Sequence, residues 1–203
     1  MIEDILKKVH RKVSKDTDYP VAGSEDLLVT LDHVDDAISE WEDLVQEGYN
    51  WPELMVPPTA IVFGGTGTDA LPADFLDFPS SFGDDGFERM ELLIGNSAYA
   101  EVSSGEGEQL ALQGVTPNVY WMVAGFVRTL PAASGTVSLP YLKKATRFVT
   151  GAETTEPEMS NQKFIEDYVT AKLFLDNADD TLYQAFMNQA NDKLMKMKYK
   201  ALT

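Results

Sequence analysis

The sequence predicts an α+β protein: a four-helix bundle formed by an N-terminal and a C-terminal helix pair, with a small antiparallel β-rich subdomain inserted between them. Three observations carry this. Apolar residues recur at three- and four-residue steps over residues 1–50 and again from 161 onward. Between these stretches Pro52, Pro57, Pro58, Pro72 and Pro79 exclude long helices, and short apolar runs alternate with Gly and Pro breaks. With 203 residues, 44% of them hydrophobic, the chain is long enough to bury a core. The expected limits are 1–50 for the N-terminal helices, 51–150 for the β-rich insert, and 151–203 for an acidic loop and a closing helical hairpin.

Ile2, Ile5, Leu6, Val9 and Val13 mark the first helix, with Lys7, Lys8, Arg11, Lys12 and Lys15 on its remaining surface. It ends before Tyr19-Pro20. The second begins after Ser24, a hydroxyl N-cap, with Glu25 and Asp26 set against the positive end of the helix dipole. Leu27, Leu28, Leu31, Val34, Ile38, Trp41, Leu44 and Val45 extend its stripe toward Gly48. That is about 22 residues, or about 33 Å. Strands are predicted over 59–63, 91–94, 99–102, 110–113, 119–124, 126–130 and 136–141, the fifth and sixth joined as a hairpin at Ala124-Gly125. A polar, acidic loop follows over 150–160. Phe164, Ile165, Tyr168, Ala171, Phe174 and Leu175 then mark a third bundle helix, and Leu182, Phe186, Ala190, Leu194 and Met197 a fourth. Asp179 or Asp180 caps the latter. The two ends are expected to pack as one bundle from which the β unit projects.

The chain has no cysteine, which removes disulfides, thiolate nucleophiles and zinc–cysteine sites. Glu3 and Asp4 stand where a secretion signal needs a basic and then an uninterrupted apolar run, and no apolar run approaches the roughly 20 residues that cross a bilayer. An internal protein without a membrane role is expected. The formal net charge is −17, unevenly placed: 16–88 holds 18 Asp and Glu and no Lys or Arg, while nine of the 16 basic residues lie in the first 15 and last 11 positions. Such a one-sign field keeps a protein soluble and repels nucleic acid.

Each possible site has a plainer alternative. Gly65-Thr66-Gly67-Thr68-Asp69-Ala70 matches a G-x-G-x-x-A string, but a phosphate site must open a helix, and Leu71-Pro72 follows at once. A glycine-rich turn is expected. His10 and His33 lack a second histidine at ligand spacing and read as ordinary surface histidines, even with Asp32, Asp35 and Asp36 beside His33. Asp84-Asp85 and Asp179-Asp180 lack the alternating oxygens of a calcium loop. A hydrolase using a carboxylate pair can be written down, although nothing in the spacing selects the pair. Tyr120, Trp121 and Phe126 read as sheet core or a subunit contact, because no basic residue lies between 96 and 127 to support base stacking. No catalytic, cofactor-binding or metal-ligating residue is assigned. Lys193, Lys196, Lys198 and Lys200 close the last helix with no acid after Asp192; they either complement the helix dipole or dock on an acidic partner.

Several segments, taken in order, resemble the head-to-tail adaptor proteins of tailed bacteriophages, the ring components beneath the portal. These are the helix pair closing on Trp51-Pro52-Glu53-Leu54; Ala70-Leu71-Pro72-Ala73-Asp74-Phe75-Leu76; Thr116-Pro117-Asn118-Val119-Tyr120-Trp121; Leu130-Pro131-Ala132-Ala133; Leu139-Pro140-Tyr141; and the helix carrying Phe164-Ile165-Glu166-Asp167-Tyr168 and Ala171-Lys172-Leu173-Phe174-Leu175-Asp176. A departure is Leu139-Pro140-Tyr141-Leu142, where such proteins carry more tyrosine.

The resemblance implies a virion structural protein, assembled after synthesis in the host cytoplasm into a homo-oligomeric ring, typically twelve-fold. It would join the portal protein to a downstream neck or tail protein and leave a channel through which the genome passes without specific binding. No catalytic residue or cofactor comes with the family. A stopper or tail terminator is the alternative within the same class. Under this reading Lys193, Lys196, Lys198 and Lys200 are the candidate portal-docking end. Asp32, Asp35, Asp36, Asp84 and Asp85 are candidates for an acidic surface facing the channel.

Overall fold

The structure is a computed structural model that describes residues 1–15, 20, 23–83, 86–89, 91–114, 116–149, 151 and 154–201, with the backbone alone for 81–83, 86–89 and 201. In chain order its elements are α1 (Ile2–Val13), α2 (Glu25–Asp43), β1 (Met55–Gly64), β2 (Thr68–Ala70), β3 (Phe75–Asp77), β4 (Ser80–Gly83), β5 (Gly86–Arg89), β6 (Leu92–Ile94) and β7 (Ser97–Glu101). Then follow α3 (Ser104–Gln113), β8 (Val119–Val123), β9 (Phe126–Leu130), β10 (Ser134–Lys143), α4 (Lys163–Asp176) and α5 (Asp180–Ala201). The protein is α+β, and it divides into two compact units, Met1–Glu53 with Ala145–Thr203, and Leu54–Lys144.

The helical unit is built around α4. Both α1 and α2 pack on α4, and α4 packs on α5, so helices from the two ends of the chain share one core. The sequence of α4 explains its place: Phe164, Ile165, Tyr168, Val169, Ala171 and Phe174 bury side chains over most of its circumference, which only a central helix can satisfy. Helix α1 keeps the expected bounds. Ser24 caps α2 by accepting a hydrogen bond from the Leu27 amide at 3.3 Å, and Asp179 caps α5 by accepting from the Leu182 amide at 3.0 Å. Helix α2 ends at Asp43, earlier than expected. Beyond it the amides of Val45, Gln46 and Glu47 bond to carbonyls three residues back, and Gly48 leaves at φ 98°.

The β unit has a three-stranded sheet, β1-β10-β3, a five-stranded one, β2-β9-β8-β7-β6, and a β4-β5 hairpin. The β8–β9 hairpin turns at Ala124-Gly125 as expected, with φ of 49° and 83°, a two-residue turn whose positive φ values match the strand twist. Two expectations fail here. Residues 110–113 are the last turn of α3, not a strand: Ser103 caps the helix through the Glu106 amide at 3.3 Å and Gly114 ends it at φ 66°. The insert is also not wholly antiparallel. Because α3 carries the chain back across the sheet, β7 and β8 run parallel. Phe63, Phe75, Phe78, Tyr120 and Tyr141 anchor the core of this unit, with Phe75 edge-on to Phe78 at 4.9 Å and stacked near Tyr141 at 5.6 Å.

Candidate interaction surfaces

The four lysines of α5 separate into two kinds. Lys193 turns inward, its ammonium on the buried carboxylate of Asp167. The same carboxylate receives Lys12 at 3.2 Å, and Lys12 also meets Glu166 at 2.7 Å. Lys198 pairs with Glu47 at 3.1 Å and lies 4.9 Å from the centre of the Tyr49 ring. These two lysines tie α5 to the rest of the helical unit. Lys196 and Lys200 are exposed, one turn apart on the same helix face. Nothing in local spacing reveals the difference, because Asp167 lies 26 residues before Lys193 and Glu47 lies 151 before Lys198.

The acidic set divides as well. Asp32 and Asp36 are exposed on α2. Asp35 is half-buried, and its carboxylate accepts the Phe148 amide at 3.0 Å while its backbone carbonyl accepts from Arg147. Asp84 and Asp85 lie outside the described residues. Burial raises the Asp35 carboxyl above its ordinary value of 3.8, outweighing the Phe148 N–H and the Arg147 charge. A carboxyl raised by folding favours the folded state in its protonated form, so its ionisation costs stability above the folded pKa. Asp35→Asn keeps the acceptor and removes the charge. It is expected to raise the melting temperature at pH 7, and the difference from wild type should close as pH falls toward 3.8. A less stable Asn variant at pH 7 would show that the charge itself is needed.

Both histidines join helices, which departs from the expectation of plain surface residues. His10 Nε2 lies 3.3 Å from Thr30 Oγ1, linking α1 to α2. His33 Nε2 lies 2.7 Å from Asp176, linking α2 to α4, and its side chain is only 16% exposed. Its hydrogen-bond partner is thus a residue 143 positions away, while Asp36, one of the neighbouring aspartates singled out in sequence, lies 3.8 Å from its Nδ1. Gly65 to Gly67 form the expected glycine-rich turn between β1 and β2, whereas Thr68–Ala70 are strand β2, and the Gly64 amide donates to Asp69 at 2.6 Å. Tyr120 and Trp121 are sheet core, while Phe126 is 45% exposed.

Among the described residues no group of three or more His, Cys, Asp or Glu side chains is placed to hold a metal ion, and no helix is long and apolar enough to cross a membrane. The sequence reading missed two features. Glu42 is a buried carboxylate that receives the Ala145 amide and the Arg147 guanidinium, fastening the chain where it re-enters the helical unit. A cavity of about 440 Å³, lined by Trp51, Pro52, Glu53, Ser160, Met197 and Lys200, opens beside the end of α5. No family model matches this chain, and no curated protein matches it.

Proposed function

We propose that this protein is a virion structural component of the head-to-tail adaptor type. About twelve copies form a closed ring that joins the portal to the neck or tail and leaves a DNA channel. In this reading α1, α2, α4 and α5 make a four-helix bundle in the ring wall, and function resides in interfaces rather than in chemistry. One observation carries it furthest. Two of the segments that resemble the family are bonded to each other: Asp74, in Leu71-Pro72-Ala73-Asp74-Phe75, accepts the Tyr141 hydroxyl of Leu139-Pro140-Tyr141 at 2.9 Å, across 67 residues of chain. Short motifs that match by chance have no reason to meet in space.

The charge distribution supports the same reading. A conduit must not hold the phosphate backbone, and the exposed Asp32 and Asp36 with the uninterrupted acidic stretch 16–88 would repel it. Mass photometry and negative-stain microscopy of the chain, alone and mixed with its portal, test the proposal. A closed ring seated on the portal is the expected result, whatever the state of the chain alone. A chain that ignores portal and instead closes the end of a tail tube would make it a terminator.

A further inference from the structure

We propose that the free edge of β1 is a self-association site: Ala60 and Val62 pair through their main chain with Val62 and Ala60 of a second copy, across a two-fold axis at Ile61. The inference does not rest on the adaptor reading, because a two-fold pair is a different contact from the head-to-tail one that closes a ring.

Strand β1 is the outer strand of its sheet, with β10 on one side only. In an antiparallel pair, residues alternate between those whose N–H and C=O face the neighbouring strand and those whose groups face away. The Gly65 amide donates to the Ala133 carbonyl, one step beyond the Gly64–Ser134 pair, so Phe63 and Ile61 also turn to β10 while Gly64, Val62 and Ala60 turn outward. The Gly64 amide fits this alternation, since it donates to the Asp69 carboxylate instead of to β10. Ala60 and Val62 are left with their donors and acceptors on the open side. Both are exposed, Val62 at 64%, and a cavity of about 430 Å³ lined by Ala60, Ile61, Val62, Ala70, Leu71 and Pro72 leaves room beside them.

Two properties of this edge select a second copy. The first is the extent of its open row. Pro58 has no N–H and the Gly64 N–H is taken, so the open donors are those of Ala60 and Val62, evenly placed about Ile61. A row centred in this way is its own antiparallel complement: each residue donates to and accepts from its counterpart, and Ile61 lies opposite Ile61. The second property is charge. No charged residue lies from 54 to 68, in a chain of net charge −17 whose copies repel one another elsewhere. Edge strands that stay single are commonly guarded by charges, and beyond Pro57 and Pro58 this one carries no guard. A nucleic acid would find no cation on this stretch.

Sedimentation equilibrium and amide hydrogen exchange, both on the whole chain, test this. The contact is small, so a dissociation constant of about 0.1–1 mM is expected, tightening in salt as the net repulsion is screened. At about 1 mM the Ala60 and Val62 amides should exchange about two- to fivefold more slowly than in dilute solution, while Ile61, already turned to β10, should not change. Val62→Glu sets like charges close together at the two-fold axis and should abolish both effects. Leu93→Glu, the same charge added at an exposed position of β6, should leave them intact. Circular dichroism checks that both variants fold. A chain that stays monomeric at about 1 mM overturns the proposal. So does a dimer whose Ala60 and Val62 amides exchange as fast as in the monomer, or one that survives Val62→Glu. Weakening in salt would also overturn it, because ion pairs would then hold the contact.

Discussion

Asp167→Ala is expected to lower the unfolding free energy by about 2–3 kcal/mol at neutral pH, read from urea denaturation. Asp167 is buried in the middle helix of the helical unit, and two ammonium groups converge on it, Lys12 from α1 and Lys193 from α5. Burial alone would lower the Lys12 ammonium, but the Glu166 and Asp167 carboxylates outweigh it and hold it above its ordinary value. Removing one partner of a fully buried pair costs about 3–5 kcal/mol because the other charge is stranded. The loss here is smaller, since Lys12 and Lys193 are 33% and 20% exposed and Lys12 keeps Glu166. The double change Asp167→Leu with Lys193→Met removes both the carboxylate and one ammonium, and it should recover part of the loss by apolar packing. An unchanged midpoint in Asp167→Ala would mean that α1 and α5 are held on α4 by apolar contact alone.

Gly107→Ala reverses the usual sign of its class. In an exposed helix the change stabilises by about 1 kcal/mol, because alanine restricts the unfolded chain and favours the helix. At this position the added Cβ would lie 2.4 Å, 2.6 Å and 2.8 Å from three carbons of the Trp121 ring. The ring cannot retreat easily: Trp121 is 2% exposed, its indole N–H lies 3.4 Å from Glu108, and Arg128 sits 5.5 Å from the ring centre. Overpacking of this kind costs about 1–3 kcal/mol. Gly107→Ala should therefore destabilise the protein and change the near-ultraviolet circular dichroism of its tryptophans as α3 lifts from β8. A stabilised variant with an unchanged spectrum would mean that α3 does not lie on Trp121.

These two positions mark where the sequence was and was not legible. Helix α1, the Ser24 and Asp179 caps and the β8–β9 hairpin announce themselves through neighbours within four residues, so periodicity and turn chemistry found them. Helix α3 carries no apolar stripe, because it approaches the sheet through Gly107 rather than through a row of large side chains. Gly105 and Gly107 look like breaks in sequence, and Leu110-Ala111-Leu112-Gln113 is too short to separate strand from helix. Strands β2 and β3 are three residues each and β4 and β5 four, too brief to show alternation. The lysine-rich end was visible as composition, yet the use of Lys193 and Lys198 in holding α5 depends on carboxylates far away in the chain. A charge reversal at Lys193 or Lys198 would break the fold's own ion pairs with Asp167 and Glu47.

The proposed adaptor role is tested most directly by a cryo-electron microscopy map of this chain mixed with a phage portal protein. The adaptor proposal predicts a closed ring seated on the portal, with Asp32 and Asp36 of α2 toward the channel. A map without a closed ring, or one in which α2 faces outward and the exposed lysines line the channel, would contradict it.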